Sequence, residues 1–164
     1  MRKGFNPTDV PKDFEEVKQK CLEFYGGLKE IRCPYLETGV VFNAKGKEHL
    51  LFNGKNKARP RHDQYMRLKL LKYAPQVIKD SRTLQGYSHR KVFEMTRSNH
   101  RNEYVLVDAI FYEFIAILEK RIRVRVIVKK VGTAPAYFWS VIPFWKRDQE
   151  HQRNNMYYGN PEED

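Results

Sequence analysis

Four of the five histidines, His49, His62, His89 and His100, fall between residues 45 and 101. The same stretch holds fifteen Lys and Arg against four Asp and Glu. Residues 1–44 (seven against seven) and 102–164 (nine against nine) are balanced, so the whole net charge of +11 lies in the middle third. Imidazoles exchange protons near neutral pH, while guanidinium and ammonium groups hold phosphate. Together they can cut RNA without a metal. A base takes the 2′ proton, an acid protonates the leaving 5′ oxygen, and cations hold the charge that builds on phosphorus. The same composition also serves plain nucleic-acid binding, for which a concentrated basic segment is the usual footprint. An anionic membrane surface is a further possible partner for such charge, but it demands an amphipathic helix, and only residues 61–72 could supply one.

Other chemistries lack their residues. The four acids of the basic third, Glu48, Asp63, Asp80 and Glu94, are too scattered to hold a metal pair against phosphate. The histidines have no HExxH or CxxC companions, and neither a GxxxxGK[ST] loop nor a GxGxxG string occurs. No metal or other cofactor is therefore expected. Cys21 and Cys33 are too few for a disulfide framework and suit a reducing compartment, so a cytoplasmic protein is expected. The first sixteen residues lack the apolar run of a signal peptide, and no stretch is long and apolar enough for a membrane-spanning helix.

The elements that must position these residues read as follows. Residues 10–26 form a helix with Asp9 as its cap, an apolar stripe through Phe14, Val17, Cys21 and Phe24, and a stop at Gly26-Gly27. Residues 38–53 read as a hairpin, strands Gly39–Phe42 and His49–Phe52 joined by a turn with Gly46. A basic loop, GKNKARPR, leads to a helix at 61–72, and Pro75 starts a second short helix at 75–81. Lys91–Met95 is a short strand, residues 103–118 a strand broken near Asp108, and residues 121–131 a strand with one wet face bearing Arg121, Arg123 and Arg125. Residues 136–145 give a last strand, ended or placed at a sheet edge by Pro143. The fold class is α+β, with N-terminal helices packed on a mainly antiparallel sheet that ends in a meander. Residues 1–37 are the lead-in, 38–147 the core domain and 148–164 a polar, mobile tail that could fold back on the basic face.

Each candidate residue admits a plain and a functional reading. His49 opens an apolar run, so it is a core histidine or a proton carrier. His62 sits at a helix start, exposed or touching phosphate in the plain reading and a proton carrier in the functional one. His89, Arg90 and Lys91 form a solvated turn or a substrate clamp. Ser140 shares a strand face with Phe138 and Ile142, and is a satisfied core hydroxyl or a group that orients phosphate. The loop cations Lys55, Lys57, Arg59 and Arg61 are candidate RNA contacts.

The succession of KEHLLF, a basic helix closing at APQVI, and a final strand AYFWSVIP resembles the barnase–EndoU–colicin–RelE superfamily, and within it the phage- and mobile-element-associated nucleases. The matching positions are His49, Ala74-Pro75 and Ser140, within residues 38–145. The resemblance implies a four-stranded antiparallel sheet with helices on one face and metal-independent ribonuclease activity, often in a toxin held by a partner such as a small acidic antitoxin or immunity protein. It makes His49 the first choice for general acid or base and Ser140 the residue orienting the scissile phosphate, and the basic helix between them offers Arg67 and Lys69 as the choices for phosphate-stabilising cations. Arg67 and Lys69 are two apart on a helix and cannot both face one point. RNA is the expected partner. The alternatives are a non-catalytic RNA- or DNA-binding module and a partner protein of the immunity or antitoxin kind.

Overall fold

A computed structural model describes residues 11–53, 57–119, 122–144 and 160–164. The architecture is α+β: four helices and a four-stranded antiparallel sheet, with a separate two-stranded hairpin. Helix α1 (Phe14–Gly26) places Glu15 and Glu16 at the positive end of its dipole. It begins after Asp13 rather than at residue 10, and Asp9 lies outside the described residues. Strands β1 (Ile31–Cys33) and β2 (Thr38–Val40) pair with each other in register Ile31 to Val40.

Strand β2 therefore does not pair with His49–Phe52 as its sequence suggests. Residues Ala44–Leu51 are helix α2. Asn43, extended at φ −104°, caps it by accepting from the Gly46 amide at 3.1 Å. A short apolar run such as His49–Phe52 does not distinguish strand from helix, and the Asn43 cap decides it. Gly46 is not a turn residue either. A Cβ there would stand 2.2 Å from the Phe138 carbonyl oxygen, so glycine lets α2 press onto the last strand.

Helices α3 (Arg61–Leu71) and α4 (Ala74–Asp80) follow, with Pro75 in the first turn of α4, where its missing N–H costs nothing. The sheet then runs in chain order: β3 (Gly86–Ser98), β4 (Arg101–Leu118), β5 (Ile122–Val131) and β6 (Tyr137–Pro143). Strand β3 is much longer than Lys91–Met95, and Asn99 and His100, both at positive φ, make the tight turn into β4. Strand β4 does not break at Asp108. That carboxylate faces solvent, bonded to Lys91 at 2.9 Å and His89 at 3.2 Å. Pro143 ends β6, which is an edge of the sheet.

Alternation puts two cores on the two faces of the sheet. Phe114, Val124, Val126, Val128 and Phe138 pack with Tyr25, Leu50, Leu68, Leu71 and Ile78 from the helices. On the other face Phe111, Ile127, Tyr137 and Trp139 form a smaller cluster. The middle of β5 is accordingly buried on both faces, not wet on one. Arg125 is buried with Glu113 at 2.6 Å, Arg123 is half-buried, and Arg121 lies outside the described residues. Among the described residues no helix is long and apolar enough to cross a membrane.

Candidate functional site

The edge strand β6 gathers the site. Helices α2 and α3 both pack against it. His49, in the last turn of α2, lays its ring on the Trp139 indole with centroids 3.9 Å apart. Arg59, in the loop before α3, donates from Nε to the His49 carbonyl (2.9 Å) and from Nη2 to His49 Nε2 (2.9 Å). One turn into α3, Asp63 receives Arg67 Nε at 2.6 Å and faces Arg59 Nη1 at 3.6 Å. The spacing Arg59, Asp63, Arg67 puts one carboxylate between two guanidinium groups, each four residues away.

Arg67 then reaches β6. Its Nη1 donates to Ser140 Oγ at 2.5 Å and to the main-chain oxygen of Asp164. Ser140 Oγ donates to that same oxygen at 2.5 Å, and His49 also hydrogen-bonds the Asp164 main chain. Arg67 and Ser140 thus converge on one oxygen of Asp164, and His49 lies beside that residue. Arg67 and Ser140 are 0% exposed and His49 is 3% exposed. The second terminal nitrogen of Arg67 has no hydrogen-bond partner among the described residues.

Burial, and after it the positive charges of Arg59, Arg67 and Lys129, hold the His49 imidazole well below its ordinary pKa. It is a neutral ring at physiological pH. Lys129 on β5 completes the cluster. It is buried, lies 4.1 Å from the Trp139 ring centre and pairs with Glu94 at 2.9 Å and Glu162 at 3.1 Å. Burial works against ionising Glu94, but the hydrogen bonds from Lys45 and Lys129 outweigh it and hold its carboxyl below the ordinary value. For Glu162 burial wins, and its carboxyl is pushed up. Beside this cluster a cleft of about 530 Å³ opens among His49, Lys129, Trp139, Lys45 and Tyr104. A second, of about 340 Å³, lies among Arg59, Asp63, Lys57 and Glu163.

Not every expected residue comes here. Lys69 is exposed and reaches over the Tyr65 ring, away from Arg67. Arg61 is exposed over the Phe14 ring at 5.5 Å. Lys57 is exposed at the rim of the smaller cavity, His62 is half-buried on α3, and Lys55 lies outside the described residues. His89 and Lys91 pair with Asp108 on the outer face of β3, whereas Arg90 points to the cleft side and donates to Asn160 at 2.8 Å. The three successive residues are therefore not one clamp. Arg59, expected as a loop contact, is instead 5% exposed and fixed to His49. Trp139, read from the sequence with Tyr137 as a base-stacking or core aromatic, stacks on His49. Sequence reading missed Asp63, Lys129 and Glu94 as members of the cluster. The four-residue steps around Asp63 were a readable signal, whereas nothing in the local sequence marks Lys129.

Among the described residues, no three His, Cys, Asp or Glu side chains gather as a metal cage. Compared with protein-family models, with curated proteins and with solved structures, the chain matches none.

Proposed function

We propose that the protein is a metal-independent endoribonuclease, an effector of the toxin or mobile-element kind, that cuts RNA through its own 2′-OH. The observation that carries this reading is the convergence of Arg67 and Ser140 on a single oxygen, with the buried His49 ring beside them. In the reaction a non-bridging phosphoryl oxygen takes that place. Arg67 and Ser140 hold it, and Arg59 and Lys129 add positive charge around the phosphorane, where a dry site makes each charge count for more. His49, kept neutral by burial and by its cationic neighbours, takes the 2′ proton on the ring nitrogen that Arg59 gives up when substrate enters. The 2′ oxygen bonds phosphorus as the P–O5′ bond breaks, and the leaving oxygen takes a proton from water, so the products carry a 2′,3′-cyclic phosphate and a 5′ hydroxyl. The basic excess of residues 45–101 draws the polyanion in.

The test is incubation of the purified chain, and of the chain lacking residues 160–164, with mixed-sequence RNA in EDTA. The expected result is cutting to cyclic-phosphate ends by at least one of the two, with DNA and 2′-O-methyl RNA resisting. His49→Ala should lower the rate by about 10²–10⁴ while RNA binding survives. If both forms leave RNA intact from about pH 5 to 9, the range in which histidine titrates, the enzyme reading fails. Salt-dependent RNA binding without cutting would then make the protein a binding module.

A further inference from the structure

The residues that would do this chemistry are shut away from solvent, and what covers them is the chain's own acidic segment Asn160-Pro161-Glu162-Glu163-Asp164. We propose that this segment is a built-in competitor of RNA, a strap that occupies the phosphate site and leaves when substrate enters. The proposal rests on the ribonuclease reading and assigns its regulation.

The strap engages the cleft cations one after another. Asn160 Oδ1 accepts from Arg90, the Glu162 carboxylate from Lys129, the Glu163 carbonyl from Arg59 and the Asp164 main-chain oxygen from Arg67 and Ser140. Between them the Pro161 carbonyl accepts from Trp139 Nε1 at 2.9 Å. A run of oxygens on successive residues, met by cations and an indole, is how a nucleic-acid backbone would be met.

Two features say that the strap can leave. Its internal bonds, from the Glu163 and Asp164 amides to the Asn160 carbonyl, make a single turn, and among the described residues it forms no ladder with any strand. Detachment therefore leaves the sheet whole. Its contacts are also imperfect: Glu162 is half-buried at a cost to its charged form, and among the described residues the second terminal nitrogen of Arg67 has no partner. The strap also stands between the two cavities, Glu162 lining the larger and Glu163 the smaller. Asn53 lines both cavities, and Glu162 and Glu163 are the strap residues at their edges. As part of the same chain it competes at an effective concentration on the order of millimolar, so a single short RNA displaces it poorly and a long polyanion well.

The experiment compares the intact chain with the chain lacking residues 160–164. Binding of a fluorescent 2′-O-methyl oligoribonucleotide reads affinity without needing cleavage, and cutting of ordinary RNA is followed beside it. The deletion should tighten binding at least tenfold and speed cutting, and the peptide Asn-Pro-Glu-Glu-Asp added at millimolar concentration should reverse both. In the intact chain, Glu162→Lys sets a cation against Lys129 and should act in the same direction. Glu23→Lys, the same charge change on the exposed side of α1, should do much less. If the deletion variant fails to fold, the comparison of Glu162→Lys with Glu23→Lys decides. RNA binding that is equal or weaker without the strap makes it a structural seal and overturns the proposal while leaving the RNA reading intact. No RNA binding by any form overturns both.

Discussion

The cleft at β6 and the arm formed by β3 and β4 are both rich in cations, and the two use them in opposite ways. In the cleft, Arg59, Arg67 and Lys129 are buried, and each is bonded to an acid, a carbonyl or both. On the arm, β4 meets β5 only from Ala109 onward, so residues 92–98 and 101–107 pair with each other alone. Its cations, Lys91, Arg97 and Arg101, are exposed. Its apolar cross-strand pairs, Phe93 with Leu106 and Met95 with Tyr104, are 71%, 54%, 55% and 65% exposed, and Phe93, Met95 and Tyr104 form the open outer wall of the larger cleft. One net charge in the sequence thus covers two physical situations. A buried guanidinium is part of the fold, and losing it leaves an orphaned carboxylate. An exposed one is a surface charge whose loss the fold barely registers.

The largest effect should come from breaking that buried set. Arg67→Met leaves Asp63 facing only Arg59, at 3.6 Å, and strips Ser140 of its donor. Loss of one partner of a buried pair costs about 3–5 kcal/mol, read as a drop in the denaturant midpoint. The double change with Asp63→Leu should recover part of that loss. A loss like that of a surface substitution would show that the cluster is not structural.

Next comes Gly46→Ala. The added methyl meets the Phe138 carbonyl oxygen, a backbone atom with little room to yield. Overpacking of this kind costs about 1–3 kcal/mol, and it should loosen α2 from β6. Because α2 carries His49, RNA cutting should fall as well. A neutral outcome would mean that α2 and β6 are further apart than the structure places them.

A third effect follows from His49. Its folded pKa lies below the ordinary 6.5, so between those two values the unfolded chain binds the extra proton. The stability that the neutral ring contributes is present above pH 6.5 and is lost as pH falls through the folded value. The melting temperature should drop on acidification through this window, and His49→Gln should flatten the profile. An unchanged profile in His49→Gln would assign the acid sensitivity to other groups.

What the sequence disclosed divides along the same line. The apolar stripe of α1 and the Pro75 start of α4 are local patterns, and those elements stand close to where the patterns put them. Residues of β5 and β6 form strands as expected, but a register shift between Ile127 and Val128 interrupts their alternation and the middle of β5 is buried on both faces. Helix α2 was hidden because Leu50, Leu51 and Phe52 suit either secondary structure, and only the small Asn43 cap separates the two. At the site, His49 and Ser140 were chosen by likeness to a superfamily and Arg67 from the basic helix between them, and they meet. Lys69, chosen with Arg67, does not, because two residues along a helix turn a side chain to another face. Lys129 and Trp139 join through strand register, a long-range property with no local mark. The strap was foreseen only as a polar tail that could fold back. Its contacts are mostly made by backbone oxygens, which every residue carries.

The smallest effects belong to the arm, and they test the contrast from its other side. The Lys91–Asp108 pair has side chains 63% and 50% exposed, with the two groups 2.9 Å apart. Water screens such a pair, and holding a lysine in one rotamer costs entropy, so a double-mutant cycle should give little or no coupling. The corresponding cycle on Arg125 and Glu113, whose side chains are 8% and 11% exposed, should give a larger one. Phe93→Ser, on the same outer face, should shift stability by no more than about 0.5 kcal/mol, since that ring is 71% exposed. The opposite ranking would show that the arm is covered in solution. The cations and aromatics on its outer face would then belong with the buried class that the cleft represents.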